Sequence, residues 1–281
     1  DANTTADNNS AFGWGALGGN STGSENTAVG KEALNTNNGS NNSAFGVTAL
    51  YANTTGASNT AVGQSALKDN TTASNNTAVG RVAMFENTTG AENTALGASA
   101  LYTNTTGAEN VAVGAYALYT NNGGYNTAVG KAALYANTTG AYNTAVGRNA
   151  LATNTTGDNN VAVGGLALDA ATTASNNVAV GVWAMSDVTT GHSSVAVGYN
   201  ALRLCSTGSS NVAVGKDAMD SCTTGYDNVC IGQDAGETIT TGYANVIMGY
   251  VAGDTLSTGY NNVYLGKNAD ASAGNVNHEN T

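Results

Sequence analysis

The sequence predicts an all-β fold, a β-solenoid (β-roll) of about sixteen coils with a 17-residue period. Three observations predict it. A small-apolar tripeptide closed by glycine recurs sixteen times, from Gly13, Gly30 and Gly46 to Gly249 and Gly266. Thirteen of the fifteen spacings between these glycines are 17 residues and two are 16. No segment between them carries apolar residues at helical spacing, and the Asn, Thr and Gly content disfavours helix. Helical-hairpin repeats need about 33 residues and leucine-rich repeats about 20–29, so both are excluded. What remains is a chain that makes one turn per repeat, with equivalent residues stacked at about 4.8 Å. Sixteen such coils would extend roughly 75 Å. Residues 1–266 read as one continuous repeat domain and residues 267–281 as an incomplete last coil or tail.

We number each coil from its strand-closing glycine as position 0. Position −1 is apolar throughout (Val29, Phe45, Val146, Ile231, Met248), which reads as an inward slot. Position −2 is Ala in thirteen copies, then Cys230, Ile247 and Tyr264. Position +3 is Ala in all sixteen, a contact too close for another methyl group. Position +4 is Leu or Met until Gly236, Gly253 and Asp270. Enlargement at −2 coincides with shrinkage at +4, so the two read as a volume trade.

Further along the coil, position +7 is Asn20, Asn37, Asn53, Asn70, Asn87, Asn104, Asn121, Asn137 and Asn154, then Ala171, Val188, Cys205, Cys222, Ile239, Leu256 and Ala273. A slot that accepts Val, Ile and Leu is interior, so the nine asparagines are expected to form a buried amide ladder. Position −3 changes in parallel, from mostly Thr or Ser to Val161 and its successors. A polar-laddered first half and a greasier second half follow. Position −4 is Asn in fifteen copies, with Ser194 the exception, and reads as a corner amide that caps backbone groups. Both 16-residue spacings fall where "NTTG" becomes "NNG", at Asn37–Gly39 and Asn121–Gly123, so the missing residue belongs to a corner.

Four sets of side chains invite a functional reading. Cys205 and Cys222 stand one period apart in the same slot, where stacked Cα atoms would lie within disulfide range. A bridge is expected there, and with it an oxidising compartment; two packed thiols are the alternative. Cys230 lies in another slot and reads as a packed thiol. Tyr102, Tyr119 and Tyr135 share one slot and Tyr226, Tyr243 and Tyr260 another. Such rows either grip carbohydrate or shield backbone bonds as stacked pairs. "NTT" triplets at Asn3, Asn53, Asn70, Asn87, Asn104, Asn137 and Asn154 match the glycosylation sequon but fall on the interior slot. His192 and His278 lie far apart with no repeated carboxylate partner, and no acidic residue recurs at a fixed slot. No catalytic residue, metal site or cofactor is expected, and the chain reads as non-enzymatic.

Composition sharpens this. Charged residues make up 10% of the chain, aromatics 6%, and proline is absent. A surface of Asn, Thr, Ser and Gly suits an ordered extracellular fibre. The net charge of −11 provides no basic stripe for nucleic acid, and no apolar run is long enough to enter a membrane as a helix. The first coil, "DANTTADNNSAFG", is in phase with "YANTTGASNTAVG", and the last stops at "HENT". Open coil ends lead to two expectations: a chain that continues, or copies stacked head to tail.

The coil core N-[TS/V]-A-V-G-x-x-A-L resembles the Asn/Thr-rich 17-residue repeats of bacterial and phage tail-fibre-like proteins. More distantly it resembles the head β-rolls of YadA-like trimeric adhesins. "NTAVGKAALYANTTGAY", Asn126 to Tyr142, carries the resemblance best. The resemblance implies a structural shaft at a cell or virion surface and a homotrimer. The expected function is therefore a non-enzymatic extracellular filament or adhesin-like fibre, giving stiffness and surface attachment. A monomeric solenoid stacked end to end is the alternative, with surface glycans as a further partner. Ice binding is a third reading; it needs a flat outward T-x-T array, and the Thr pair of "NTTG" points to opposite faces.

Overall fold

The computed structural model describes residues 6–270; Asn3, Ala273 and His278 lie outside them. The chain forms two compact units, Asp1–Ala141 and Tyr142–Thr281. Among the described residues there is no helix, and sixteen three-residue strands occur, eight in each unit. They run from Ser10–Phe12 to Thr127–Val129 in the first unit and from Thr144–Val146 to Val263–Leu265 in the second. Within a unit each strand pairs with the next in parallel and in register: Ala61 lies opposite Ala78, and Val178 opposite Val195. Each unit is a β-solenoid with one short strand per coil and a period of 17 residues.

The strand-closing glycine is forced by backbone geometry. Its φ lies between +118° and +145° in every coil, a region closed to other residues. A Cβ at Gly80 would sit 2.5 Å from the carbonyl oxygen of Gly97 and 2.6 Å from its carbon. The turn that follows places positions +2 and +4 in the left-handed region as well, as at Glu32 and Leu34. These reversals aim successive peptide groups at opposite neighbours. The Glu32 N–H donates to Trp14 O in the preceding coil at 2.8 Å, and the Leu34 N–H to Ala49 O in the following one at 3.0 Å. Bonding between coils therefore continues through the turns and holds the left-handed residues in place.

Each coil encloses a small core. From the second coil to the thirteenth, Ala at −2, Ala at +3 and Leu or Met at +4 are fully buried, as with Ala61, Ala66 and Leu67. The volume trade is direct: a Cβ at Gly253 would lie 2.7 Å from Ile247 Cδ1, and one at Gly236 2.7 Å from Cys230 Sγ. Position −1 is different. Val62, Val180 and most of their equivalents are exposed, whereas Ala61 and Ala179 before them are buried. Adjacent strand residues point to opposite faces, so −1 and −2 cannot both be inward. The inward reading of −1 is thus corrected: the apolar row lies outside, and −3 flanks it on the same face.

Two amide columns complete the interior. In the first unit Asn20, Asn37, Asn53, Asn70, Asn87, Asn104, Asn121 and Asn137 are buried and stacked. From Asn37 onward, each Nδ2 donates to the Oδ1 of the Asn one coil earlier, at 2.6–3.3 Å. The same Nδ2 donates to a carbonyl of its own turn, as from Asn87 to Gly90 at 2.9 Å. Asn154, in the second unit, is also buried and donates to Gly157 O at 3.0 Å. The −4 asparagines form the second column. Asn59 Oδ1 accepts from the Asn76 N–H at 3.0 Å, and Asn59 Nδ2 donates to Ala73 O at 2.9 Å.

The two shortened coils keep the strand register: Thr27 lies opposite Ser43, and Val111 opposite Thr127. In a full coil, Thr71 O accepts from the N–H groups of Thr54 and Thr55 at 2.8 and 3.1 Å. In the short coil, Asn122 Oδ1 takes the place of that carbonyl, accepting from Thr105 and Thr106 at 2.9 and 3.3 Å. Asn38 Oδ1 does the same for Ser21 and Thr22. A side-chain amide thus replaces the deleted residue's backbone.

Candidate interaction surfaces

The outer strand face is a regular surface repeated in every coil of each unit. In the second unit it carries two apolar rows, Val161 to Val263 at −3 and Val146 to Leu265 at −1. Val180 is 36% exposed and Val197 38%. Eight strands at about 4.8 Å, each about 10 Å long, give a footprint of roughly 300–400 Å², within the range of the largest apolar patch on a single chain, which is often functional. In the first unit the −1 row is again apolar, but −3 is mostly hydroxyl-bearing, so Thr60 stands beside Val62 and Thr77 beside Val79.

The tyrosine rows stack ring on ring. Tyr102, Tyr119 and Tyr135 have centroids 5.1 Å apart and rings within 7° of parallel. Phe85, which the tyrosine pattern did not include, extends the row at 5.3 Å, and Lys68 Nζ lies 4.8 Å over its ring. Tyr226, Tyr243 and Tyr260 stack at 4.8 and 5.0 Å. Burial, and then the neighbouring phenols, raise the Tyr119 hydroxyl above its usual range. Within each row the facing ring surfaces cover one another, so the rows are stacked ladders along the coil. Phe85 was legible as a member of the same slot.

The expected Cys205–Cys222 disulfide is not formed: Cys205, Cys222 and Cys230 are free and buried. In-register stacking repeats a side chain at about 4.8 Å, wider than the roughly 3.5–4.5 Å between Cβ atoms in a disulfide. Both thiols lie toward Gly225 O, at 3.9 and 3.7 Å. The sequon asparagines Asn53, Asn70, Asn87, Asn104, Asn137 and Asn154 are fully buried, which closes them to a glycan. His192 is exposed beside Ser193. Among the described residues no group of His, Cys, Asp or Glu could hold a metal ion, and no helix is long and apolar enough to cross a membrane.

One hollow escaped the periodic reading. In the second unit, residues of three successive coils line an open hollow of about 400 Å³. Trp183 and Tyr199 meet edge to face at 5.4 Å and 72°. Asp169, Asp187, Asn200 and Arg203 surround them, and Ser186 is buried beneath. These residues differ from coil to coil, so no repeated slot announced them.

No protein-family model matches the chain, and no curated protein sequence matches it.

Proposed function

We propose that the chain is a non-enzymatic structural protein: a stiff fibre segment, extracellular or on a cell or virion surface, that associates side by side with copies of itself. The observation that carries this reading is the unbroken pair of apolar rows on the outer face of the second unit. Burying those rows against equivalent rows removes apolar area from water without any change in the coils. The resemblance to tail-fibre-like repeats and to trimeric adhesin heads favours three copies. Composition, rather than a disulfide, supports the extracellular setting. The expected light-scattering mass is about three times the 27.8 kDa chain. Val180→Lys with Val197→Lys should reduce it to one folded chain, because both side chains lie outside the core, and the melt should fall only by the stability that association adds. A wild-type mass of one chain at all concentrations overturns the reading. Threads that persist in electron micrographs of the double variant favour end-to-end stacking instead.

One observation favours a second reading, ice binding. The outward Thr and Val rows of the first unit form a regularly spaced array of hydroxyl and methyl groups. Those threonines belong to the strands and not to the "NTTG" corners. Thermal hysteresis of the purified protein would support it, and freezing-point behaviour matching an inert protein would sink it.

A further inference from the structure

We propose that the hollow around Trp183 and Tyr199 binds a pyranose unit, free of acid groups, at the end of a glycan. The inference rests on the surface-attachment reading and supplies its missing contact. Four features of the hollow carry it.

The first is aromatic. A pyranose presents a face of C–H groups that packs on an indole or phenol ring, with its hydroxyls pointing to the rim. In the tyrosine rows the ring faces cover one another. Trp183 and Tyr199 instead meet at 72°, so neither ring lies flat on the other, and Tyr199 is 43% exposed. Trp183 is 38% exposed.

The second is shape. Ser186 stands at +5 between Asp169 one coil before and Arg203 one coil after. A short side chain between two longer ones makes the dip, and a hollow of about 400 Å³ has the scale of a small-ligand site.

The third is the polar rim. Arg203 is fixed by Asp220, with Nε to Oδ1 at 2.8 Å and a second bond to Oδ2 at 3.2 Å. Asn200 Nδ2 donates to Asp217 Oδ1 at 2.9 Å, while Asn200 Oδ1 is buried and accepts no hydrogen bond. The rim therefore offers held donors from Arg203 and Asn200 that can sort hydroxyl positions, while the buried Asn200 Oδ1 lies out of a ligand's reach.

The fourth is charge. Asp217 pairs with Lys216 and Asp220 with Arg203. Among the described residues Asp169 and Asp187 enter no salt bridge. Burial, and then the nearby Asp187, raise the Asp169 carboxyl above its usual range, although a bond to its own backbone opposes the shift. Two carboxylates against one guanidinium, itself already paired with Asp220, leave the hollow net negative, which favours sugar hydroxyls over uronic or sialic acids.

The test uses the whole chain carrying Trp14→Phe, which leaves Trp183 as the single tryptophan. Methyl glycosides of glucose, galactose, mannose, N-acetylglucosamine, glucosamine and glucuronic acid are titrated against tryptophan fluorescence. At least one non-acidic glycoside should saturate the signal in the millimolar range, and the glucuronide should not. By saturation-transfer NMR, Tyr199→Ala and Asp187→Asn should each weaken binding about tenfold or more, while Tyr243→Ala, in the stacked row, leaves it unchanged. Melts of the variants establish that they are folded. No saturable response to any glycoside, or full binding by folded Tyr199→Ala, overturns the proposal. Light scattering on the same samples separates the two readings. A fibre-forming chain that binds no glycoside loses the site alone, whereas a binding chain that stays single loses the fibre alone.

Discussion

Val82 holds a β-branched side chain at φ +51°, where its methyl groups crowd the backbone. The position demands this conformation, because the Val82 N–H must reach Gln64 O, at 2.9 Å. Other coils place Asn149 and Asn200 there at φ +57° and +54°. Val82→Asn should therefore stabilise the protein by about 1 kcal/mol, read as a higher urea midpoint; an unchanged or lower midpoint contradicts the strain. The thiols make a second claim at this scale. Burial pushes Cys230 up to about 12, and the hydrogen bond with Cys222, followed by burial, raises Cys205. Unfolded thiols ionise near pH 8.5, so above that pH the native state holds protons that the unfolded state has lost. Their contribution is complete below about pH 8.5 and falls as pH rises toward the folded values, by up to about 1.4 kcal/mol per pH unit for each thiol. Urea melts between pH 7 and pH 10 should show this slope, and Cys230→Ala should flatten it. Identical slopes would mean that Cys230 is not held as a buried thiol.

The coil corner is the element that tolerates change in length, and it does so through asparagine. Asn122 Oδ1 accepts from two backbone N–H groups and from the Thr105 hydroxyl at 2.6 Å. Asn122→Ala leaves donors of the adjoining corner without that acceptor and should cost about 1–3 kcal/mol. Asn122→Asp keeps an acceptor oxygen and should cost less. Equal losses in the two melts would mean that side-chain volume, not the carbonyl, holds the short corner. Ser194 tests the same logic in the −4 column. Its N–H donates to Asn177 Oδ1 at 3.0 Å, and its Oγ accepts from the Asn211 N–H at 3.1 Å. The hydroxyl keeps the column's acceptor but lacks the amide that lets Asn177 also reach Gly191 O at 2.9 Å. A single exchange is therefore carried, whereas consecutive ones would leave a run of corner carbonyls without amide donors.

At the scale of the whole chain, what repeats could be read and what does not repeat could not. The period, the glycine, the invariant Ala and the Asn20-to-Asn137 column were legible because sixteen copies act as comparisons with one another. The direction of position −1 was not, since Val is equally apolar inside or out; only the two-residue alternation across Ala decides it. The Trp183 hollow was illegible for the opposite reason: stacking joins unlike residues from three coils, and neither spacing nor composition marks them. The same contrast governs how copies should meet. A chain of net charge −11 repels its copies at long range, while the Val rows attract only on contact. Raising salt from about 0.1 M to about 1 M shortens the screening length from about 10 Å to about 3 Å. The repulsion then fades while the apolar contact remains, so the associated fraction measured by light scattering should grow with sodium chloride. An interface built on ion pairs would respond in the opposite sense, and dissociation by salt would move the contact from the Val rows to the charged turns.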